Sequence, residues 1–264
     1  MKIIDFHTHI YPDKIAERAT VAIGEFYDLP MDGVGSVSKL LESMEEAGVC
    51  HSVVYSVATS AMQVQKINDF IAAQVNAHPD KLSGFGSMHP DYEDKCSEVD
   101  RCIAMGLKGI KLHPDTQGFN ADDDRMLELY EYMESKGLPL MIHCGDFRYD
   151  YSHPRRIARI CKLFPELTVI GAHFGGWSVW DEAVEHLRDS HCFVDTSSSS
   201  GFMDIERFGE LIRIYGADRV MFGTDFPMWD CKQELERIDS LKLTNEEREK
   251  ILWSNAAKLL KLEI

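Results

Sequence analysis

The chain has 264 residues and a mass of 30.1 kDa, a length that fits one or two domains. Hydrophobic residues make up 44% and charged residues 27%, the balance of an ordinary globular protein, which excludes a disordered or fibrous chain. The formal net charge of −16 opposes binding to nucleic acid and to an anionic membrane surface, so we expect neither as a partner.

The cysteines and the N-terminal residues indicate a reducing compartment. The seven cysteines are an odd number without a Cys-x-x-Cys pair, which is typical of reduced thiols rather than of a disulfide framework. Asp5 and His7 interrupt the apolar stretch that a signal peptide needs. We therefore expect a cytoplasmic protein.

Short apolar runs alternate with amphipathic helical patterns along the whole chain. The runs are rich in Val, Ile, Leu, Phe and Met with little polar alternation, which is typical of strands buried on both faces. Gly48 and Gly137 follow two of the helical patterns, where a left-handed C-terminal cap favours glycine. In chain order, the predicted strands are Lys2–Phe6, Ser52–Val57, Leu82–Met88, Leu107–Leu112, Leu138–Ile142, Thr168–Ala172, Cys192–Asp195 and Arg219–Gly223.

Eight strand–helix units in 264 residues average about 33 residues each, the size of one βα repeat. This predicts an α/β protein, a (β/α)8 TIM barrel, with residues 1–264 as a single domain. An open doubly wound sheet alternates in the same way, but no Gly-x-Gly-x-x-Gly turn follows the first strand, which disfavours its dinucleotide-binding version. The Ser-rich run 196–201 predicts a flexible loop after the seventh strand, with substrate contact as the alternative.

Histidines follow the predicted strands at the ends where barrel enzymes carry their chemistry. His7 and His9 end the first strand, and their two-residue spacing puts both imidazoles on one face, as two nitrogen ligands of one metal require. His143 and His173 end the fifth and sixth strands, and Asp225 follows the eighth. A carboxylate there is costly to bury unless it is paired or binds metal, although capping of the last helix is an alternative. The pattern predicts a metal site.

These residues and the phrases around them resemble the amidohydrolase superfamily of metal-dependent barrel enzymes. The phrases are Gly-Leu-Lys-Gly-Ile-Lys-Leu-His-Pro at 106–114, Gly-Ala-His-Phe-Gly-Gly at 171–176, Phe-Gly-Thr-Asp-Phe-Pro at 222–227 and Asn-Ala-Ala at 255–257. They resemble the amidohydrolase-related branch that includes aminocarboxymuconate-semialdehyde decarboxylase. The resemblance covers essentially the whole chain, and the branch contains decarboxylases, hydratases and hydrolases.

The resemblance implies one divalent metal, zinc in the first place with manganese or cobalt as alternatives. It implies His7, His9, His143 and Asp225 as the metal ligands, and His173 and Asp225 as the catalytic residues that move a proton. Other superfamily members carboxylate a lysine on the fourth strand to bridge two metals. Lys111 could do so here, in which case His143 and His173 would bind the second ion. We favour the single metal, because the branch resembles the mononuclear members.

Four further residues are candidates for substrate binding. Lys111 could contact a substrate carboxylate or form an internal salt bridge, and His113 could contact substrate or make a structural hydrogen bond. Arg148 follows the fifth strand and could hold a carboxylate bidentately. Trp177 follows the sixth strand and could form the wall of a pocket for a planar substrate. For Arg148 and Trp177, packing or surface exposure is the alternative.

Three functions fit these residues. The first expectation is a metal-dependent hydrolase, whose metal-activated water attacks a small ester, lactone or amide. The alternative is a non-oxidative decarboxylase or hydratase of an unsaturated or aromatic carboxylic acid that uses the same metal site. The third is a barrel that has lost its activity, which the complete ligand set disfavours. We expect a small-molecule substrate, and a homodimer is possible because the related enzymes often pair.

Overall fold

The computed structural model describes residues 2–262, in which short strands alternate with helices as the sequence predicts. Its strands are β1 (Ile4–His9), β2 (His51–Tyr55), β3 (Leu82–Gly84), β4 (Gly86–Ser87), β5 (Ile110–Leu112), β6 (Leu140–Ile142), β7 (Val169–Gly171), β8 (Phe193–Asp195) and β9 (Val220–Met221). Its α-helices are α1 (Asp13–Tyr27), α2 (Val37–Ala47), α3 (Val64–Ala77), α4 (Lys95–Ala104), α5 (Pro114–Gln117), α6 (Asp124–Lys136), α7 (Pro154–Leu163), α8 (Trp180–Leu187), α9 (Ile205–Tyr215), α10 (Cys231–Ser240), α11 (Asn245–Glu249) and α12 (Asn255–Leu260).

The residues group into two compact units. The first unit comprises Met1–Tyr55, Gln74–Ser83 and Thr196–Ile264, and the second comprises Ser56–Ala73 and Gly84–Asp195. The single domain predicted over residues 1–264 stays a prediction.

In the first unit, β1 is the strand that positions the candidate site. It pairs in parallel with β2, with Ile4 opposite His51 and His9 opposite Tyr55. On its other side, the Phe6 N–H donates to Phe222 O at 2.8 Å and the His9 N–H donates to Phe226 O at 2.7 Å. Because β1 is paired on both sides, its backbone is fixed as far as His9, three residues beyond the predicted strand end.

In the second unit, β4 to β8 hydrogen-bond to one another in chain order. The strands are parallel; Ile110, for example, lies opposite Leu140, and Leu140 lies opposite Val169. Consecutive parallel strands with helical crossovers bury both sheet faces, which explains why the predicted strands lack polar alternation.

The predicted strands exist, but several bounds differ. The third predicted strand is interrupted at Phe85 and forms β3 and β4, and the eighth is reduced to β9. Gly48 and Gly137 adopt left-handed backbone (φ 72° and 60°) at the ends of α2 and α6, as predicted. Within residues 2–262, no helix has both the length and the apolar character needed to cross a membrane.

Candidate functional site

In the first unit, three of the predicted ligands bring their donor atoms to one point. His7 Nε2 lies 3.3 Å from His9 Nε2 and 3.2 Å from Asp225 Oδ1, and His9 Nε2 lies 3.3 Å from the same oxygen. Ligands about 2.1 Å from a tetrahedral zinc ion lie about 3.4 Å from each other. The three donor atoms therefore fit one face of a divalent metal's coordination shell.

Two of these ligands, His7 and His9, lie on β1, and backbone hydrogen bonding holds the third, Asp225, beside that strand. The Asp225 N–H donates to His7 O at 2.8 Å, which fixes the carboxylate beside the two imidazoles. Asp225 has a positive φ of 64°, which costs an ordinary residue free energy and is common at functional sites. A Cβ at Gly223 would lie 2.7 Å from His7 Cβ, so only glycine allows this close approach.

The serine run forms an outer layer of hydrogen bonds behind these ligands. Ser197 Oγ lies 2.9 Å from His7 Nδ1, and Ser198 Oγ donates to Asp225 Oδ2 at 2.5 Å. Trp229 Nε1 donates to Ser198 Oγ at 2.8 Å. Thr196 to Ser200 are buried and only Gly201 of the run is exposed, which disagrees with the predicted flexible loop. Proton transfer by Asp225 would need its second carboxylate oxygen, and that oxygen accepts from Ser198.

Asp5, whose carboxylate precedes the ligands on β1, supports them through backbone. It accepts from the His7 N–H at 3.1 Å, from the Thr224 N–H at 3.0 Å and from Thr224 Oγ1 at 2.6 Å. Burial raises the pKa of Asp5 to about 7, although these hydrogen bonds oppose the shift. Asp5 therefore links β1 to the segment that carries Asp225.

In the second unit, His143 and His173 form a hydrogen-bonded pair. His143 Nε2 lies 3.0 Å from Gly145 O, and because a carbonyl only accepts, this nitrogen carries the proton. When the ring is neutral, His143 then presents the Nδ1 lone pair, and Nδ1 lies 3.0 Å from His173 Nε2. Gly145 has φ 78°, and a Cβ there would lie 2.6 Å from Gly176 Cα, so the turn that supplies this carbonyl requires glycine.

Hydrogen bonds fix both the backbone N–H and the backbone carbonyl of His173. Its N–H donates to Asp195 Oδ1 at 3.1 Å, and its carbonyl accepts from Trp180 Nε1 at 3.1 Å. Its φ of 60° is a second left-handed conformation at a predicted functional residue. His173 is 3% exposed, so its imidazole is held in a buried setting.

His113 and Asp115 extend this cluster. The His113 ring stacks on His143 with centroids 3.9 Å apart and planes 6° apart. Asp115 Oδ2 accepts from Ser152 Oγ and lies 3.6 Å from His143 Nε2, while Asp115 Oδ1 is buried with no hydrogen-bond partner. Burial raises the pKa of Asp115 to about 6. Sequence reasoning missed Asp115, because an Asp after His-Pro is a common residue in the first turn of a helix.

The other candidate substrate residues also lie in the second unit. Lys111 is fully buried within β5. Arg148 donates from Nε and a terminal nitrogen to the buried Asp146 carboxylate at 2.9 and 2.6 Å. The guanidinium that could bind a substrate carboxylate bidentately is therefore already paired with Asp146. The Arg148 guanidinium lies 6.0 Å from the Trp177 ring, and Trp177 is 6% exposed.

The structure thus brings His7, His9 and Asp225 together in the first unit. His143, the fourth ligand implied by the resemblance, clusters with His173 and His113 in the second unit, and its place in the ligand set stays a prediction. The catalytic role of His173 also stays a prediction.

Comparison with known proteins decides the family. The chain matches the amidohydrolase family over residues 4–262. It belongs to the amidohydrolase family. Its fold is also that of a TIM barrel: it superimposes on an uncharacterised TIM-barrel protein from Bordetella bronchiseptica with a TM-score of 0.81 at 23% identity, covering 99% of each chain.

Two relatives of this chain are decarboxylases by name. The first is 2-amino-3-carboxymuconate-6-semialdehyde decarboxylase of Dictyostelium discoideum, 28% identical over 240 residues, which are 75% of this chain and 66% of that protein. The chain therefore spans just under two thirds of that relative. The second is gamma-resorcylate decarboxylase of Polaromonas sp. JS666, 24% identical over 251 residues, which are 75% of this chain and 76% of that protein.

Proposed function

We propose that this member of the amidohydrolase family is a metal-dependent, non-oxidative decarboxylase of an unsaturated or aromatic carboxylic acid. The geometry that supports a metal enzyme is the convergence of His7, His9 and Asp225 on one point. The two named relatives support the reaction class, because their substrates differ but both lose carbon dioxide. Neither of these two relatives supports the hydrolase that the sequence placed first, so the decarboxylase takes its place.

The donor set suits a single divalent ion. Two imidazole nitrogens and one carboxylate oxygen are ligands for zinc, manganese or cobalt. A divalent ion bound there would supply positive charge that stabilises negative charge developing on the substrate. A metal-to-protein ratio near one supports this site, whereas a ratio near two supports the alternative with carboxylated Lys111.

The reaction exchanges a carboxylate for a proton. The bond between the carboxyl carbon and the substrate carbon breaks, carbon dioxide leaves, and the electron pair stays on the substrate, delocalised into its conjugated system. A proton then forms the new C–H bond. We assign this proton to His173. Its Nε2 lies within hydrogen-bonding distance of His143 Nδ1, at 3.0 Å, and hydrogen bonds from Trp180 and to Asp195 fix its backbone.

A carboxylate substrate also needs local positive charge, because the chain carries a net charge of −16. Besides the metal, Lys111 is the buried candidate for this contact. Arg148 is less suited than the sequence suggested, because Asp146 already accepts two hydrogen bonds from its guanidinium. His113 and Trp177 remain candidates for contact with the substrate ring.

The direct test is product analysis in heavy water. The protein, loaded in turn with zinc, manganese and cobalt, is incubated in D₂O with a panel of dihydroxybenzoates and conjugated enoic acids. The proposal predicts carbon dioxide release and one deuterium on the carbon that carried the carboxylate, detected by mass spectrometry and NMR. A parallel panel of esters, lactones and amides in H₂¹⁸O tests the hydrolase.

His78→Ala is the matched control, because His78 follows α3 and no catalytic role is assigned to it. It should retain full turnover, whereas His9→Ala should lose it. Label from ¹⁸O in the products of the second panel, with no deuterated product from the first, would reject the decarboxylase in favour of the hydrolase.

A further inference from the structure

We propose that Ser198 and Trp229 are positioning residues for the metal. The Trp229 indole and the Ser198 hydroxyl form a hydrogen-bonded relay that holds Asp225 as a one-oxygen ligand. This inference rests on the proposed function only in taking His7, His9 and Asp225 as metal ligands. It assigns a use to a serine turn and a tryptophan that the reaction itself does not require.

The direction of the relay follows from the chemistry of its groups. The Trp229 indole nitrogen is a donor only, so its N–H donates to Ser198 Oγ across 2.8 Å. A carboxylate oxygen only accepts when ionised, so the single hydroxyl hydrogen of Ser198 goes to Asp225 Oδ2 across 2.5 Å. The relay therefore runs from the indole N–H through the hydroxyl to the carboxylate.

The relay divides the two oxygens of Asp225 between two tasks. Oδ2 accepts from Ser198, while Oδ1 faces the Nε2 atoms of His7 and His9 at 3.2 and 3.3 Å. The hydrogen bond fixes the plane of the carboxylate and withdraws charge from it. Without that bond, the carboxylate can rotate and offer both oxygens to the ion.

Ser197 acts in parallel on His7. Ligation through Nε2 requires the proton of a neutral imidazole to be on Nδ1, and Ser197 Oγ lies 2.9 Å from Nδ1 as its acceptor. Groups that hydrogen-bond to metal ligands in this way typically change metal affinity by about 10- to 100-fold when they are removed.

The backbone of Ser198 indicates that its hydroxyl matters. Ser198 has a φ of 46°, a left-handed conformation that glycine adopts more readily than serine. It is also only 4% exposed, so a hydroxyl there must be hydrogen-bonded to avoid a desolvation cost. A buried serine in a conformation suited to glycine is explained by the bonds that its hydroxyl makes.

The test compares metal binding of wild type, Ser198→Gly, Trp229→Phe and Ser199→Ala. Ser198→Gly deletes the hydroxyl and suits the local φ, and Trp229→Phe deletes the donor. Ser199→Ala is the matched control, because that buried hydroxyl donates to the Ser197 carbonyl at 2.9 Å and not to a ligand side chain. The measurements are the zinc dissociation constant by competition with a chelating dye, the visible absorption of the Co²⁺-loaded protein, and the melting temperature.

We expect about tenfold weaker zinc binding for Ser198→Gly and about threefold for Trp229→Phe. Both should alter the cobalt spectrum, and Ser199→Ala should match wild type within about twofold. If Ser198→Gly fails to fold, Trp229→Phe carries the test.

The two proposals fail in different ways. Wild-type zinc affinity and cobalt spectra in both folded variants would overturn the relay and leave the decarboxylase standing. Shifted affinities without decarboxylation of any substrate would support the relay and reject the reaction. A wild-type protein that takes up no ion would overturn both.

Discussion

The two histidine clusters of this amidohydrolase-family protein are built from similar side chains but connected differently. In the first unit, the side-chain donor atoms of His7, His9 and Asp225 face one another at 3.2–3.3 Å, and serine hydroxyls contact the far side of two of them. In the second unit, the rings face one another: His143 Nδ1 lies 3.0 Å from His173 Nε2, and His113 stacks on His143.

The difference separates two kinds of chemistry. When the Nε2 atoms of His7 and His9 are unprotonated, they and the ionised Asp225 oxygen repel each other at these distances unless a cation lies between them. Imidazoles that hydrogen-bond to each other can instead share and pass a proton. We infer that the first cluster holds the metal and the second moves the proton, and the following variants test this division.

His173→Asn should have the largest effect. Loss of a general acid typically costs about 10²- to 10⁴-fold in turnover, so we expect kcat for decarboxylation to fall about a thousandfold. Because His173 belongs to the proton cluster, the zinc dissociation constant should stay within about twofold of wild type. Loss of half the bound metal from this variant would contradict the division and favour the two-metal alternative.

His9→Ala should affect metal binding first and turnover as a consequence. Structural zinc sites supply about 10–16 kcal/mol from four ligands, so loss of one ligand should weaken zinc binding about a hundredfold. His9 has the most exposed side chain of the three ligands, at 14%, so its removal should disturb the core least. Competition with a chelating dye measures the change. Excess metal should restore part of the turnover, whereas it should not rescue His173→Asn.

Glu234 is a buried carboxyl group that contacts Ser200 in the serine run, and its ionisation should change the stability of the protein. Both of its carboxylate oxygens lie within 2.7 Å of the Ser200 hydroxyl, and burial raises its pKa from 4.5 to about 7. Since the folded state holds this proton more tightly than the unfolded state, stability should fall as pH rises from about 4.5 to 7 and change no further above that range.

Glu234→Gln should therefore lose less stability than wild type between pH 4.5 and 8. The expected difference is on the order of 2–3 kcal/mol in the free energy of unfolding, measured by urea denaturation of the metal-free protein. Glu236→Gln on α10 is the control, because Glu236 is exposed. Equal pH profiles for wild type and Glu234→Gln would show that Glu234 ionises normally.

The sequence predicted the strands and the candidate residues at or just after them, because apolar runs and the His-x-His spacing are local signals, but it did not predict several strand bounds. It did not predict the outer layer. Ser197 contacts His7 across 190 positions of sequence, and a run of serines by itself is typical of an exposed loop. Asp115 was missed for a similar reason, since only the tertiary fold shows that its carboxylate is buried beside His143.

Trp180→Phe should have the smallest effect and makes the most direct comparison with Trp229→Phe. An indole N–H is directed at the cluster in each unit: Trp180 donates to the His173 carbonyl, and Trp229 donates to Ser198. The Trp180 hydrogen bond is made to a backbone carbonyl and not to the side chain of His7, His9 or Asp225. Its loss should therefore lower kcat about threefold and leave the zinc dissociation constant unchanged.

Trp229→Phe should show the opposite pattern, with weaker zinc binding and normal kcat once the metal is saturating. Steady-state kinetics at saturating metal, set beside the dye competition, separate the two. If both variants change kcat, or both change the zinc dissociation constant, the assignment of metal binding to one cluster and proton transfer to the other is wrong.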